Sequence, residues 1–440
     1  MKLTDNARTV PGPKGKEYLE IWRKYEAQTM TFQAPVVWDR ARGIVVTDVD
    51  GNQYYDWTSG VLVTNVGHSH PKHVKAIQEA VAKLMNCYDF PTPSRVDLAR
   101  RMVEVTPDNL DKAFFLTTGS EATEGAMRIA RRFTGNYEII SFYGAFHGRT
   151  YGAMSAGGMA STKRGFGPGV PGAIRVPFPH CYRCPLGKTQ ESCGTACLNF
   201  LDDAVRASST GSLAATIVEP YQGAAGFIFP PEGYLKQLEQ WVRDKGMVFI
   251  LDEVQSSFGR TGKMFALEWE NLKPQLLCIG KGIGSGIPAS CIMAESRVIG
   301  AMGQGEMSST SGGNPVASAA ALAVLDIIQE EDLVENARRI GQCLKARLLG
   351  MQERCRYLGD VRGRGLVLGL EFVRDKATRE PAGDIARQVI LRAAGKGLLV
   401  GAVGAYGHVI RVAPPLVITE EEAHRSADIL EEVLLGLPGN

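Results

Sequence analysis

The chain has 440 residues, of which 44% are hydrophobic and 22% charged, so it can bury a large core and has no disordered character. A net charge of +2 gives no case for a nucleic-acid partner, and the absence of any apolar run of about 18 residues excludes a predicted membrane span. Residues 1–6 lack the apolar centre of a signal peptide, and nine cysteines without an export signal indicate reduced thiols. We therefore expect a cytoplasmic protein.

The first part of the chain predicts a helix followed by a small antiparallel unit. The helix is expected over residues 16–25, after the sequence Pro-Gly-Pro. Apolar and polar residues then alternate over 36–65, as in strands with one buried face, and Asp50 and Gly51 predict a hairpin turn.

The rest of the chain combines strands and helices in two different patterns. Over residues 70–320 apolar strands alternate regularly with helices, which indicates a mostly parallel sheet covered on both faces. Residues 330–440 mix helices with strands at 366–372 and 409–412. Residues 419–422 have the sequence of a capping box that opens the last helix.

These patterns favour two domains. Residues 66–325 form the predicted large α/β domain, and the two ends, 1–65 and 326–440, are expected to fold together as a small α+β domain. Ligands of open parallel sheets bind at the carboxyl ends of the strands. The residues that follow each central strand are therefore the candidates for chemistry.

The strand predicted at 113–116 is followed by a glycine and a serine at the start of a helix. Gly119 and Ser120 would offer free backbone N–H groups and the positive end of the helix dipole, which suit a phosphate. The alternative is an ordinary serine cap. Glu219 directly follows the strand predicted at 215–218, and so lies at the carboxyl end of a central strand as well.

The strand predicted at 139–142 is followed by Phe146, His147 and Arg149 between glycines. An aromatic side chain there could cover a flat ring by stacking, and the planar guanidinium could hold a carboxylate. The alternative is a core phenylalanine, a structural histidine and a surface arginine.

The strand predicted at 247–251 ends directly at Asp252. An acid at the end of an apolar strand is costly to bury unless it is paired. A pyridinium N–H would pair with it, and so would an arginine, which is the alternative.

The strand predicted at 276–279 ends at Lys281, which lies between glycines. Burial lowers the pKa of a lysine amine, and a neutral amine can attack a carbonyl to form a Schiff base. A solvated loop lysine is the alternative. Five strand ends together, however, supply a phosphate site, a stacking aromatic, an acid and a Schiff-base lysine. Pyridoxal phosphate requires that set.

The chain also resembles the class III, or omega, aminotransferases of fold type I, and among them the 4-aminobutyrate and acetylornithine aminotransferases. The resemblance extends from Tyr55 to the last helix. It is most specific at 251–255, at the Phe-Gly-Arg-Thr-Gly of 258–262 and at 280–282. It implies a large domain with a mostly parallel sheet, a small α+β domain from both chain ends, and a homodimer or dimer of dimers with shared active sites.

The resemblance implies roles for single residues. Lys281 would attach the cofactor and carry protons, and Asp252 would pair with the ring nitrogen. Thr310 would reach the phosphate of the partner subunit. The other implied cofactor-binding residues are Gly119, Ser120, Phe146, His147, Glu219, Val254 and Gln255. Small-molecule amino donors and oxo acids would react by a ping-pong mechanism.

For the substrates, the resemblance implies that Arg411 binds the α-carboxylate and that Arg149 takes a distal carboxylate. Val61 and Tyr55 are candidates for the pocket wall, and a place in the core is the alternative. Relatives of the 4-aminobutyrate type carry an acid where this chain has Ala224 and Ala225. The donor is therefore expected to be an amino acid or an omega-amine resembling 4-aminobutyrate, and the acceptor pyruvate or 2-oxoglutarate. A racemase or epimerase on the same fold is the alternative, and a dialkyl amino-acid decarboxylase or a non-catalytic scaffold protein stays open.

Four cysteines lie close together in the sequence, at Cys181, Cys184, Cys193 and Cys197. Four thiolates suit zinc or an iron–sulfur cluster, so a structural metal is one hypothesis. Free loop thiols and a disulfide are the alternatives.

Overall fold

A computed structural model describes residues 8–440. Residues 1–6, on which the prediction of no export signal depends, lie outside the described part. The strands are β1 (Trp38–Arg42), β2 (Val45–Asp48), β3 (Gln53–Asp56), β4 (Lys112–Leu116), β5 (Glu138–Phe142), β6 (Ala173–Val176), β7 (Leu213–Val218), β8 (Val248–Glu253), β9 (Leu276–Ile279), β10 (Ser290–Ala294), β11 (Leu358–Arg364), β12 (Val367–Phe372), β13 (Leu398–Leu399), β14 (Gly401–Val403) and β15 (Val409–Val412).

Helices connect these strands. They are α1 (Pro13–Tyr25), α2 (Ser59–Leu62), α3 (Pro71–Val81), α4 (Pro93–Val105), α5 (Gly119–Thr134), α6 (Tyr151–Ala156), α7 (Ala196–Ser208), α8 (Tyr234–Asp244), α9 (Ser296–Ile299), α10 (Pro315–Glu330), α11 (Leu333–Arg354), α12 (Gly383–Lys396) and α13 (Glu420–Leu435). Across the described residues, none of these helices is long and apolar enough to cross a membrane.

The central sheet has seven strands in the order β4-β10-β9-β8-β7-β5-β6. Six strands run parallel, and β10 is antiparallel to both of its neighbours. Alternate residues of one strand enter two separate apolar clusters: Phe249 and Leu251 belong to one, Val248 and Ile250 to the other. Such a continuous apolar strand is typical of a sheet that is buried on both faces. The predicted mostly parallel sheet is therefore confirmed.

Two smaller sheets of four strands each lie outside the central one, in the orders β1-β2-β3-β13 and β11-β12-β15-β14. The first joins the two ends of the chain, because Tyr55 of β3 pairs in parallel with Leu398 of β13. The domain boundaries at 65 and 325 stay a prediction.

Several predicted elements have their expected places. The first helix begins at Pro13, three residues before the predicted start, because proline suits the first position of a helix. The turn between β2 and β3 contains Asp50 and Gly51, and Gly51 has a φ of +86°. Thr419 and Glu422 form the predicted capping box.

Candidate active site

A cleft of about 740 Å³ lies at the carboxyl ends of the central strands. All five predicted strand ends contribute to its wall. These residues are Gly119, Ser120, Phe146, His147, Arg149, Glu219, Asp252, Val254, Gln255 and Lys281. The sequence placed them at separate strand ends, and the parallel sheet brings them together because its carboxyl ends share one edge.

The amino-terminal end of α5 forms one side of the cleft. Thr118 caps the helix: its hydroxyl accepts a hydrogen bond from the N–H of Glu121 at 3.2 Å, and Glu121 accepts one from the N–H of Thr118 at 2.8 Å. Gly119 and Ser120 therefore occupy the first two helical positions, where N–H groups have no acceptor within the helix. A Cβ at Gly119 would lie 2.7 Å from Val254, so only glycine allows this close approach.

Asp252 and His147 form a buried pair across the floor of the cleft. The imidazole Nδ1 lies 2.7 Å from a carboxylate oxygen of Asp252, and the other oxygen accepts the N–H of Val254 at 3.1 Å. Burial by itself lowers the pKa of His147, but the hydrogen bond and charge of Asp252, with the charge of Glu219, raise the pKa overall. The raised pKa favours the protonated imidazole, which places a positive charge beside the buried carboxylate of Asp252.

Lys281 lines the same cleft as Asp252 and Glu219. It begins a short 3-10 helix, Lys281–Ile283, with a φ of +45°, a left-handed conformation that is uncommon outside glycine. Burial lowers the pKa of its amine, and the charge of Arg411 lowers it further, while the charges of Asp252 and Glu219 oppose both. A larger fraction of this amine is therefore neutral than of a surface lysine.

Two arginines line the mouth and the wall of the cleft. Arg411, in β15, is 7% exposed, and its Nε lacks a hydrogen-bond partner among residues 8–440. Arg149 is exposed, and its guanidinium lies 5.8 Å from the centre of the Phe146 ring. The guanidinium of Arg411 is buried, and its Nε atom has no hydrogen-bond acceptor among residues 8–440. A carboxylate of the substrate could fill that place.

Two predicted residues lie outside the cleft of their own chain. Tyr55 was a candidate for the pocket wall, but it is 2% exposed and packs in the core of β3, because its pairing with Leu398 buries that strand. Thr310 is exposed and does not contribute to the described wall of this cleft. Val61 does line the cleft, in a strained turn with a φ of +72°.

Sequence analysis missed part of the cleft wall. The missed residues come from a segment after α1, from the connection between α6 and β6, and from β14, and include Thr29, Met30, Gln33, Phe166, Ala402 and Val403. None follows a central strand, so the rule used for the other residues could not find them. A prediction that β3 pairs with β13 would have shown that the two ends of the chain meet. It would then have indicated that residues from both ends can line the cleft.

The four clustered cysteines form no metal centre. Over residues 8–440 no group of three or more His, Cys, Asp or Glu side chains is placed to hold a metal ion, and all nine cysteines are free. The four thiols line one cavity of about 110 Å³. Burial raises the pKa of Cys181, and that of Cys197 to about 11, which disfavours the thiolate form that metals bind.

Comparison with known proteins gives the family. The family model for Aminotransferase class-III matches residues 26–434. An alanine/serine racemase of Pyrococcus horikoshii is 35% identical over 96% of this chain and 91% of its own, and a 4-aminobutyrate aminotransferase of Mycobacterium leprae is 35% identical over 97% and 96%. The solved structure of a Bacillus anthracis aminotransferase has a TM-score of 0.89 at 30% identity, and covers 96% of this chain and 99% of its own.

The chain therefore belongs to the class III aminotransferases, a family of enzymes that use pyridoxal phosphate. The predicted family, the predicted enzyme class and the fold type I architecture are confirmed.

Proposed function

We propose that the cleft holds pyridoxal phosphate on Lys281 and that the enzyme moves an amino group from an amino donor to a 2-oxo acid. One observation carries this proposal: a lysine with a lowered pKa shares a single cleft with the paired Asp252 and His147. When bound, the cofactor supplies an electron sink for the carbon that loses a proton.

The residues of the cleft fit the cofactor. Gly119 and Val254 pack too closely for a side chain at position 119, which leaves the backbone at the start of α5 uncovered, and the Oε1 atom of Gln255 is buried without a hydrogen-bond partner among residues 8–440. Gly119 and Ser120 would bind the phosphate, Phe146 and Val254 the two faces of the ring, and Gln255 its hydroxyl group. Asp252 would hold a proton on the ring nitrogen, with His147 supporting its charge.

Lys281 would carry the proton in both directions. A neutral amine is needed to accept a proton from the substrate carbon, and burial of Lys281 favours that form. The same amine, once protonated, would deliver the proton to the cofactor. The charges of Asp252 and Glu219 stabilise the protonated form of Lys281, whereas burial favours the neutral form. The two effects on its pKa oppose each other, so both forms are accessible.

Arg411 supports a substrate with a carboxylate. Ala224 lies in the cleft wall where an acid would pair with this arginine in relatives of the 4-aminobutyrate type, so Arg411 is available to the substrate. We propose an α-amino acid, or an omega-amine resembling 4-aminobutyrate, as donor. Pyruvate or 2-oxoglutarate is the proposed acceptor, and Arg149 would hold the distal carboxylate of the latter.

The test of this proposal uses the wild-type enzyme and Lys281→Ala. The wild-type protein is expected to be yellow, and the variant to lose the visible band of covalently held cofactor. Transamination should fall by about 10³-fold or more, because the proton carrier is lost. An unchanged spectrum in the variant would contradict the assignment. A panel of amino donors and oxo acids then identifies the substrates.

Amino-acid racemisation is the second candidate, because the P. horikoshii relative has that name. Both reactions need Lys281 and Asp252, so the residues of the cleft do not separate them. One enantiomer of an amino acid other than alanine should be incubated with and without pyruvate, because transfer from alanine to pyruvate regenerates the same two compounds. Loss of optical purity without an oxo acid would favour racemisation, and formation of alanine from pyruvate without loss of optical purity in the remaining donor would favour transfer.

A further inference from the structure

Glu219 bridges two walls of the cleft through hydrogen bonds to the backbone. It directly follows β7 and is 7% exposed. One carboxylate oxygen accepts the N–H of Phe146 at 2.9 Å, and the other accepts the N–H of Gly223 at 3.0 Å. Because each oxygen is engaged by the protein itself, the carboxylate is built into the frame of the site.

The two bonded N–H groups belong to different loops. Phe146 lies in the loop after β5, the neighbour of β7 in the sheet. Gly223 opens the segment 223–227, which contributes Ala224 and Phe227 to the cleft wall. A Cβ at Gly223 would lie 2.0 Å from Oε1 of Gln255, so this segment lies against the floor of the site and tolerates little displacement.

Glu219 also acts electrostatically on the groups that handle protons. Burial raises its pKa to about 7, the charge of Asp252 adds to this, and His147 and the two N–H groups oppose it. The charge of Glu219 in turn raises the pKa of Lys281, as that of Asp252 does, whereas Arg411 lowers it. Ionised Glu219 therefore strengthens the attachment of a proton to Lys281.

We propose that Glu219 is a positioning residue that fixes Phe146 against the 223–227 segment and adds a negative charge to the cleft that Lys281 also lines. In this role Glu219 acts through Phe146, Gly223 and Lys281. The inference rests on the proposed function to the extent that Lys281 is the proton carrier.

Glu253 provides a matched control. It is also completely buried, its carboxylate accepts the N–H groups of Ala266 and Leu267, both at 2.7 Å, and burial raises its pKa to about 7. Glu253 does not contribute to the described cleft wall, and its charge is not among those that act on Lys281. Glu253→Gln therefore reproduces the loss of a buried carboxylate without the proposed effect.

The first experiment uses the full chain freed of cofactor. Labelling of Lys281 by trinitrobenzenesulfonate is followed by mass spectrometry as a function of pH for the wild type, Glu219→Gln and Glu253→Gln. The midpoint is the pH at which labelling of Lys281 reaches half of its maximum. Glu219→Gln should lower this midpoint by about one pH unit, because a negative charge that stabilises protonated Lys281 is removed. Glu253→Gln should leave it in place. Equal midpoints for Glu219→Gln and the wild type would overturn the electrostatic part.

The second experiment uses Glu219→Asp, which keeps the charge but is too short to reach both N–H groups. Its labelling midpoint should stay near that of the wild type, while the affinity for pyridoxal phosphate and the visible circular dichroism of the bound cofactor should fall, the affinity by about tenfold. Wild-type affinity and dichroism would overturn the positioning part. If Glu219→Gln does not fold, as judged by thermal unfolding, Glu219→Asp tests the bridge and the midpoint together.

The labelling experiment needs no cofactor, so its result is independent of the proposed reaction. A shifted midpoint in a protein that does not attach pyridoxal phosphate to Lys281 would support the role of Glu219 and contradict the proposed function.

Discussion

Arg411 has a buried guanidinium at the wall of the cleft, and we expect it to separate substrates with a carboxylate from those without one. Arg411→Ala should raise the KM for α-amino acids by about 10- to 100-fold, because a charge-assisted hydrogen bond is lost. The KM of a primary amine that lacks a carboxylate should change far less. Steady-state kinetics with both donors measures this difference. A similar rise for both donors would show that Arg411 has a structural role instead.

Glu253 gives a prediction about stability and pH. Its pKa rises from an ordinary 4.5 to about 7 on folding, so between these values the folded protein binds more protons than the unfolded protein. The free energy of unfolding therefore falls as pH rises from 4.5 through about 7, and Glu253 contributes up to about 3 kcal/mol to this fall. Glutamine does not titrate. The melting temperature of Glu253→Gln should be lower than that of the wild type at pH 5, and the difference should shrink by pH 8. A difference that is constant with pH would contradict the raised pKa.

At the scale of residues, the sequence predicted those polar groups that end an apolar run. Asp252 and Lys281 are conspicuous because each one follows a run of apolar residues that forms a buried strand. The bridge from Glu219 to Phe146 was not predictable. The carboxylate accepts hydrogen bonds from backbone N–H groups, and residue types do not show which N–H groups lie within reach. The sequence could not decide between pocket wall and core for Tyr55, since an aromatic side chain suits both equally well, and the structure buries it.

At the scale of elements, the capping box of α5 lies directly beside the proposed phosphate site. Thr118→Ala should cost about 1 kcal/mol of stability and weaken the binding of pyridoxal phosphate, because the first turn of the helix becomes less ordered. Thr419→Ala removes the same type of cap from α13, which does not contribute to the described cleft wall. Thermal unfolding should show similar losses for both variants, and titration with the cofactor should show a loss for Thr118→Ala alone. Equal affinities of the two variants for pyridoxal phosphate would show that the cap of α5 does not affect cofactor binding.

The direction of β10 was not predictable from the sequence. Its residues are all buried, as they are in β8 and β9, so the apolar pattern is the same for a parallel and an antiparallel strand. What sets its direction is the short connection from β9, which leaves too little chain for the crossover helix that a parallel neighbour requires. The pattern of residues therefore predicted the presence of the strand but not its orientation.

At the scale of the whole molecule, the segment from 81 to 96 exposes a group of large apolar side chains. Its members are 42% to 73% exposed, and they are Val81, Leu84, Met85, Tyr88, Phe90 and Val96. Large exposed apolar side chains are typical of interaction surfaces. Together with the exposed Thr310 they agree with the homodimer that the resemblance implies, which stays a prediction.

The dimer can be tested through this surface. The double variant Met85→Asp, Phe90→Asp should sediment as a monomer and bind pyridoxal phosphate more weakly, because Thr310 of a second copy would no longer reach the phosphate. Leu435→Asp, an exposed leucine of α13, is the control and should leave both properties unchanged. Analytical ultracentrifugation and cofactor titration give the two measurements. A wild-type protein that sediments as a monomer would exclude the shared site.

The pairing of β3 with β13 also determines when the protein can finish folding during its synthesis. Tyr55 leaves the ribosome early, and Leu398, its partner in the sheet, leaves it only when the chain is almost complete. At ordinary translation rates the interval is on the order of tens of seconds. For that time the edge of β3 that later pairs with β13 has no strand beside it, and the seven central strands, which end at Ala294, are complete before that partner is made. The nascent chain must therefore be kept from pairing with other strands, and truncation before residue 398 should leave the amino-terminal sheet open to aggregation.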